Sequence, residues 1–210
     1  MDLAPFLPGF AAAYAILLVA ASSPGPAVAM LLGIGTARGR GPALVASAGI
    51  ATGSVVINVI TLVGVGLLLQ QAGWAMTLLR LAGAAYLLWL AWGSLRKAVA
   101  PPDIRVAEVP AVSAWRYFVM GMLMQVTNPK AIAFWLAIAA VGATRGGGAW
   151  VIAAFVAGAW LISFACHGAW AVLLSAAPVR RFYARFRRWV EGALGGFMAF
   201  MAFRLATERG

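Results

Sequence analysis

Carboxylates are scarce in this 210-residue sequence. Five Asp and Glu stand against sixteen Lys and Arg, a net charge of +11, with one histidine and one cysteine. Charged side chains make up only 10% of the chain, where a soluble domain averages about a quarter. Too few charges to coat a soluble surface exclude an ordinary cytosolic globule, and disorder, which needs polar chains, is excluded more firmly. The single Cys166 permits no disulfide framework and reads as a small packing residue. One Cys, one His and no cluster of buried carboxylates supply neither a metal-ligand set nor a nucleophile–base pair, so the sequence reads as no enzyme and implies no cofactor. What is abundant is apolar surface, at 64% of residues. The remaining class is a polytopic membrane protein of one domain, residues 1–210.

Charge-free intervals locate the spans. Leu3 to Ala37, Gly41 to Leu79 and Gly146 to Val179 contain no charged residue. A helix needs roughly 20 apolar residues to cross about 30 Å of hydrocarbon. Six spans are expected, at about 5–35, 43–69, 74–95, 115–141, 149–175 and 189–206. The first is longer than one straight crossing needs, which leaves room for tilt or a break. No segment alternates as barrel strands do. The expected fold is an all-α membrane protein. The start, Met-Asp-Leu-Ala-Pro, has no basic region of the kind that opens a cleaved signal, so the first span is read as retained.

Cationic loops stay in the cytoplasm. Arg38 and Arg40 follow span one; Arg96, Lys97, Arg105 and Arg116 lie between spans three and four. Arg180, Arg181, Arg185, Arg187 and Arg188 follow span five. These three connections fall on one side of a six-span chain. The opposite side has Arg145, Arg80, Arg204 and Arg209. Both termini are therefore expected outside the cytoplasm. Fourteen arginines against two lysines, with abundant alanine, suggest a GC-rich bacterial genome. The 180–188 cluster, interleaved with Phe182, Tyr183 and Phe186, fits two readings: an interfacial amphipathic helix, or, more simply, a topology signal that also binds anionic lipid headgroups. A nucleic-acid partner does not fit a patch lying against a membrane, and homo-oligomerisation is left open. Pro101-Pro102-Asp103 through Pro110 is the hinge between repeat one (about 1–100) and repeat two (about 115–210), with a loop at about 96–114.

Two segments interrupt the apolar runs at membrane depth: Ser22-Ser23-Pro24-Gly25-Pro26 in span one and Gln125-Val126-Thr127-Asn128-Pro129-Lys130 in span four. At an offset of 104, Ala27-Val28-Ala29 matches Ala131-Ile132-Ala133; at 105, Gly53 matches Gly158. Three spans per half make the halves oppositely oriented, the inverted repeat common in transporters. Asn and Ser favour the N-cap and Pro the first helical position. Ser23-Pro24 and Asn128-Pro129 therefore predict that spans one and four are each two half-helices, the second beginning near the midplane. The dipole end of such a half-helix favours an anion.

Lys130 lies 15 residues after Trp115 and 12 before Gly142, so either interface is roughly 18–22 Å away at 1.5 Å per residue. A lysine stem reaches about a third of that. Burying its ammonium costs at least roughly 2.5–3.5 kcal/mol, which marks such residues as functional. Two roles fit: a cap for carbonyls at a helix break, or a holder of an anionic group such as a carboxylate. The expected substrate site is Ser23, Pro24, Gly25, Pro26, Thr52, Gly53, Asn58, Asn128, Pro129 and Lys130. Thr52 and Asn58 line a cavity or bond a neighbouring helix, and Gly49 and Gly53 fit packing as well as substrate clearance. His167 fits a proton relay or a hydrogen-bonded structural role. An anion-selective channel could use the same paired half-helix ends.

The chain resembles the LysE/RhtB amino-acid exporters of bacteria. The resemblance is carried by Ser23-Pro24-Gly25-Pro26, by Gly49-Ile50-Ala51-Thr52-Gly53, by the run Leu81 to Trp92, and by Asn128-Pro129-Lys130-Ala131. It implies a plasma-membrane secondary transporter that exports amino acids or similar small zwitterions, driven by the proton gradient. Many members have an acid directly after the second glycine of the span-two motif, where this chain has Ser54, and a His or aromatic residue three positions on, where it has Ile57. Of the five carboxylates, Asp2, Asp103, Glu108 and Glu208 fall in loops or termini. Glu191 heads span six, where it is expected to pair with the arginine cluster.

Overall fold

The computed structural model describes residues 3–71, 74–100 and 109–207. Asp2, Asp103, Arg105, Glu108, Glu208, Arg209 and most of the 101–110 hinge lie outside the described residues, as does the side chain of Arg80. After a short 3-10 turn (Ala4–Phe6), the described residues form eight α-helices and no strand. These are α1 (Leu7–Ser22), α2 (Pro26–Arg38), α3 (Arg40–Gln71), α4 (Trp74–Val99), α5 (Ala114–Val126), α6 (Pro129–Ala140), α7 (Ala149–Leu174) and α8 (Ala177–Thr207). The order of an interrupted pair followed by two long helices occurs twice. Among the described residues, Ala4–Ser22, Arg40–Gly64 and Ala149–Leu174 are long and apolar enough to cross a membrane alone, while α2 and α6 are shorter apolar helices.

One expected boundary is absent. The 180–188 arginine cluster is not a separate helix but the first part of α8, which runs unbroken for 31 residues, about 46 Å. Pro178 sits in its first turn, where a missing N–H is harmless, and no Gly or Pro interrupts it before Gly192. Arg180 Nη1 donates to the Leu174 and Ser175 carbonyls at 3.0 and 3.1 Å, satisfying the C-terminal oxygens of α7.

The cation-rich connections share one end of the bundle. Gly35 of α2 lies against Ser175 after α7, and Arg38 Nε donates to the Val109 carbonyl at 2.9 Å. Ala98 at the end of α4 approaches Gly192 of α8. At the opposite end, Gly9 of α1 packs on Ala143 beyond α6.

Two close crossings fix the frame. Helix α4 runs along α8, and α3 runs along α5 and α7. Where α3 meets α5, Gly49 rests on the Phe118 carbonyl and Gly121 on the Ala46 carbonyl, so a methyl at either glycine would overlap backbone. Small residues are what allow helix backbones to approach this far in a membrane. Gly121→Ala should therefore lower stability by about 1–3 kcal/mol, the usual cost of overpacking. Gly196→Ala, whose added methyl meets open space, should be neutral or slightly stabilising. Thermal unfolding of the two variants in detergent checks this.

Candidate functional site

The site begins with the two interruptions. Pro24 and Pro26 lack N–H groups, and proline disfavours a helical conformation in the residue before it. Ser23 is accordingly extended (φ −78°, ψ 134°) and closes α1. This corrects the expectation that Ser23 caps the following half-helix. Its Oγ turns back to donate to the Ala20 carbonyl at 3.0 Å, and α2 starts two residues later at Pro26. Gly25 stands at the N-cap, and no side chain caps that end. The second interruption follows the sequence expectation. Asn128 is extended before Pro129, and its Oδ1 accepts the Lys130 N–H at 3.1 Å.

Lys130 ties the interruptions together. Its Nζ donates to the Ser23 carbonyl at 3.1 Å, to the Pro24 carbonyl at 3.4 Å, and to Ser23 Oγ. An ammonium has three donors, and all three are used. Gly25 leaves space for the lysine to lie across the break, since a Cβ there would sit 3.2 Å from Nζ and 3.5 Å from Cδ. The structure thus shows the carbonyl-capping contact, and the cation stands beside the uncapped start of α2.

A buried polar chain runs beside it. Gln125 Nε2 on α5 donates to Ser54 Oγ on α3 at 2.8 Å, and Ser54 and Ser163 on α7 share a hydroxyl hydrogen bond at 3.2 Å. One turn on, His167 Nδ1 lies 2.8 Å from the Ser163 carbonyl. A carbonyl only accepts, so Nδ1 carries the proton and Nε2 of the neutral ring is the acceptor. All four side chains are under 7% exposed. Together with Ser23, Asn128, Lys130 and the rings of Phe134 and Trp135, they line a cavity of about 40 Å³, room for a few water molecules and less than a bound small molecule needs.

Ser23, Gly25, Asn128, Lys130 and His167 line one cavity. Pro26 and Pro129 act on the backbone, as first residues of α2 and α6. Thr52 turns elsewhere: its Oγ1 donates to the Ala48 carbonyl and accepts from Trp160 Nε1 at 3.4 Å. Gly53 packs against the Met122 carbonyl and Gln125. Asn58 is 1% exposed and its amide has no hydrogen-bond partner among the described residues. Pro24 also borders a second cavity on the far side of Lys130. The Gln125–Ser54–Ser163 chain was not anticipated; a signal for it was Ser163, one turn before His167. Glu191 is wholly enclosed, with Arg187 Nε 4.0 Å from its Oε1, which is the expected pairing.

Apolar helices interrupted around a cavity that holds a buried lysine fit a membrane transporter. The chain belongs to the LysE type translocator family, whose family model matches residues 18–209. It is therefore a translocator and not an enzyme. It is 28% identical to a threonine efflux protein of Salmonella typhi over 91% of this chain and 94% of that protein. The threonine efflux protein of Escherichia coli K12 is 27% identical over the same shares. A homoserine/homoserine lactone efflux protein of Salmonella typhimurium is 35% identical over 46% of each chain. No solved structure matches the chain.

The Asn128 cap gives a separable test. Asn128→Ala should cost about 1 kcal/mol of stability, whereas Asn128→Ser, which keeps an acceptor, should lose only a fraction of that. Denaturant or thermal unfolding of the purified variants measures the difference.

Proposed function

We propose that this protein is a secondary active exporter of amino acids or related small zwitterions across the bacterial plasma membrane. The observation that carries the reading is the cavity in which Lys130 stands beside the uncapped start of α2. The first N–H groups of a helix have no partner within it, and the dipole there is positive. A substrate carboxylate placed between those N–H groups and Lys130 would take over the contacts that Ser23 and Pro24 now make with the ammonium. The names of the threonine and homoserine efflux relatives support an amino-acid substrate.

The transport cycle is read as alternating access between two inverted three-span repeats, about 1–100 and 115–210. Reciprocal packing supports this. Gly53 on α3 makes room for α5, and its counterpart Gly158 on α7 makes room for Tyr14 of α1. Likewise α3 packs on α6, and α7 on α2. With the cation-rich end in the cytoplasm, both termini lie outside it. The exposed Arg181, Arg185 and Arg188 of α8 then face anionic headgroups.

Coupling to protons is assigned to His167. Its Nδ1 is fixed on Ser163, so Nε2 is the atom free to gain and lose a proton beside the cavity. Reconstituted vesicles test both assignments. Threonine flux should be saturable and accelerated by an imposed pH gradient, and Lys130→Ala should reduce it at least about a hundredfold with membrane insertion intact. His167→Phe should keep threonine exchange but lose the acceleration. Linear, non-saturating flux would make the protein a channel instead.

A further inference from the structure

Lys130 is the wall of two cavities. The second, of about 340 Å³, runs from the breaks along α4, with one residue of α8 on its wall. Pro24 and Lys130 form its inner end, Met198 one side, and Trp89, Gly93 and Ser94 of α4 the other. Arg96 and Lys97, both exposed, stand at its outer end. This is the end of the bundle where the cation-rich connections gather, because Ala98 meets Gly192 near the arginines of α8. Among the described residues, the charged groups that act on Lys130 from the packed helices are Lys97 on α4, which lines the same cavity, and Glu191 on α8. Glu191 has Arg187 at 4.0 Å, so the cavity keeps an excess of positive charge from its mouth to its inner end.

We propose that this cavity along α4 is an anion-collecting vestibule. It receives the carboxylate end of the substrate at Arg96 and Lys97 and delivers it to Lys130, whose contacts with Ser23 and Pro24 are the partition from the central cavity. Clefts lined by one sign of charge between low-dielectric walls concentrate oppositely charged solutes by about 10- to 1,000-fold, and they orient a net-neutral zwitterion with its carboxylate foremost. The α4 wall supplies Trp89 and Trp92, both well exposed, as apolar surface and buried Ser94 as a polar group along the way. The identity of the substrate rests on the export reading; the charge selectivity of the vestibule does not.

Thiol labelling separates the two. Cys166→Ala removes the sole cysteine, and Gly93→Cys places a thiol in the vestibule where an added side chain meets nothing within 4 Å. In membrane vesicles, a sulfonate-bearing methanethiosulfonate should modify this thiol at least about tenfold faster than a trimethylammonium-bearing one, after correction for their rates with a free thiol. Adding Arg96→Gln and Lys97→Gln should abolish the preference. Ser94→Cys provides a second position that should behave alike. A thiol unreactive at both positions, or one with no preference for the anionic reagent, overturns the proposal. Threonine should slow the labelling, and in flux assays the double glutamine variant should raise the half-saturating concentration several-fold. If the wild-type protein moves no amino acid, the export reading fails while the labelling still decides the vestibule.

Discussion

The structure depends on how the backbone carbonyls released at the end of α1 are satisfied. In hydrocarbon an unpaired backbone oxygen has no water to turn to, so irregular backbone persists only where protein groups or an internal cavity receive it. Ser23 and Pro24 present two such oxygens, and the ammonium of Lys130 takes both. The lysine is itself placed by the other interruption, since it is the second residue of α6 and Asn128 fixes the start of that helix through its own N–H. Each break therefore supplies what the other lacks. One has acceptors and no cap, and the other has a cap and a surplus donor.

The same economy of backbone contact organises the neighbouring polar chain. Gln125 can reach Ser54 only because α5 and α3 approach without side chains between them at Gly49, Gly53 and Gly121. From Ser54 the connection passes to α7, so three helices are joined by hydrogen bonds within an otherwise apolar interior. A network of this kind is worth little if half made and rigidifies strongly if complete. Packing and polarity are thus one arrangement here: glycines set the distance, and the hydroxyls and the amide use it.

Much of this was legible in the sequence, for definite reasons. Proline and asparagine act through local sterics and short-range hydrogen bonds, so the break at Asn128-Pro129 followed from adjacent residues alone. The first break was legible in place but not in detail. Ser23 and Gly25 can both precede a proline-started helix, and the choice between them was decided by Pro24 and Pro26 acting together. Lys130 was conspicuous because a cation far from both interfaces needs a reason. Its partners, over 100 positions away, were not legible, because nothing local specifies which carbonyls a long side chain will find. Ser54 and Ser163, 109 positions apart, were hidden for the same reason. The continuity of α8 was obscured by composition: charges signal an interface, yet arginine is also a strong helix former.

The Lys130 contact is also unequal in what heredity can change. Two of its three acceptors are main-chain oxygens, which every amino acid carries, so replacing Ser23 or Pro24 removes at most a hydroxyl and shifts the geometry. The donor side resides in one codon. Variation can therefore drift through the α1–α2 connection, reshaping what the cavity admits, while the bond that closes it stays chemically available. At position 130 no comparable latitude exists, and diversification of this site has to proceed around the lysine rather than through it.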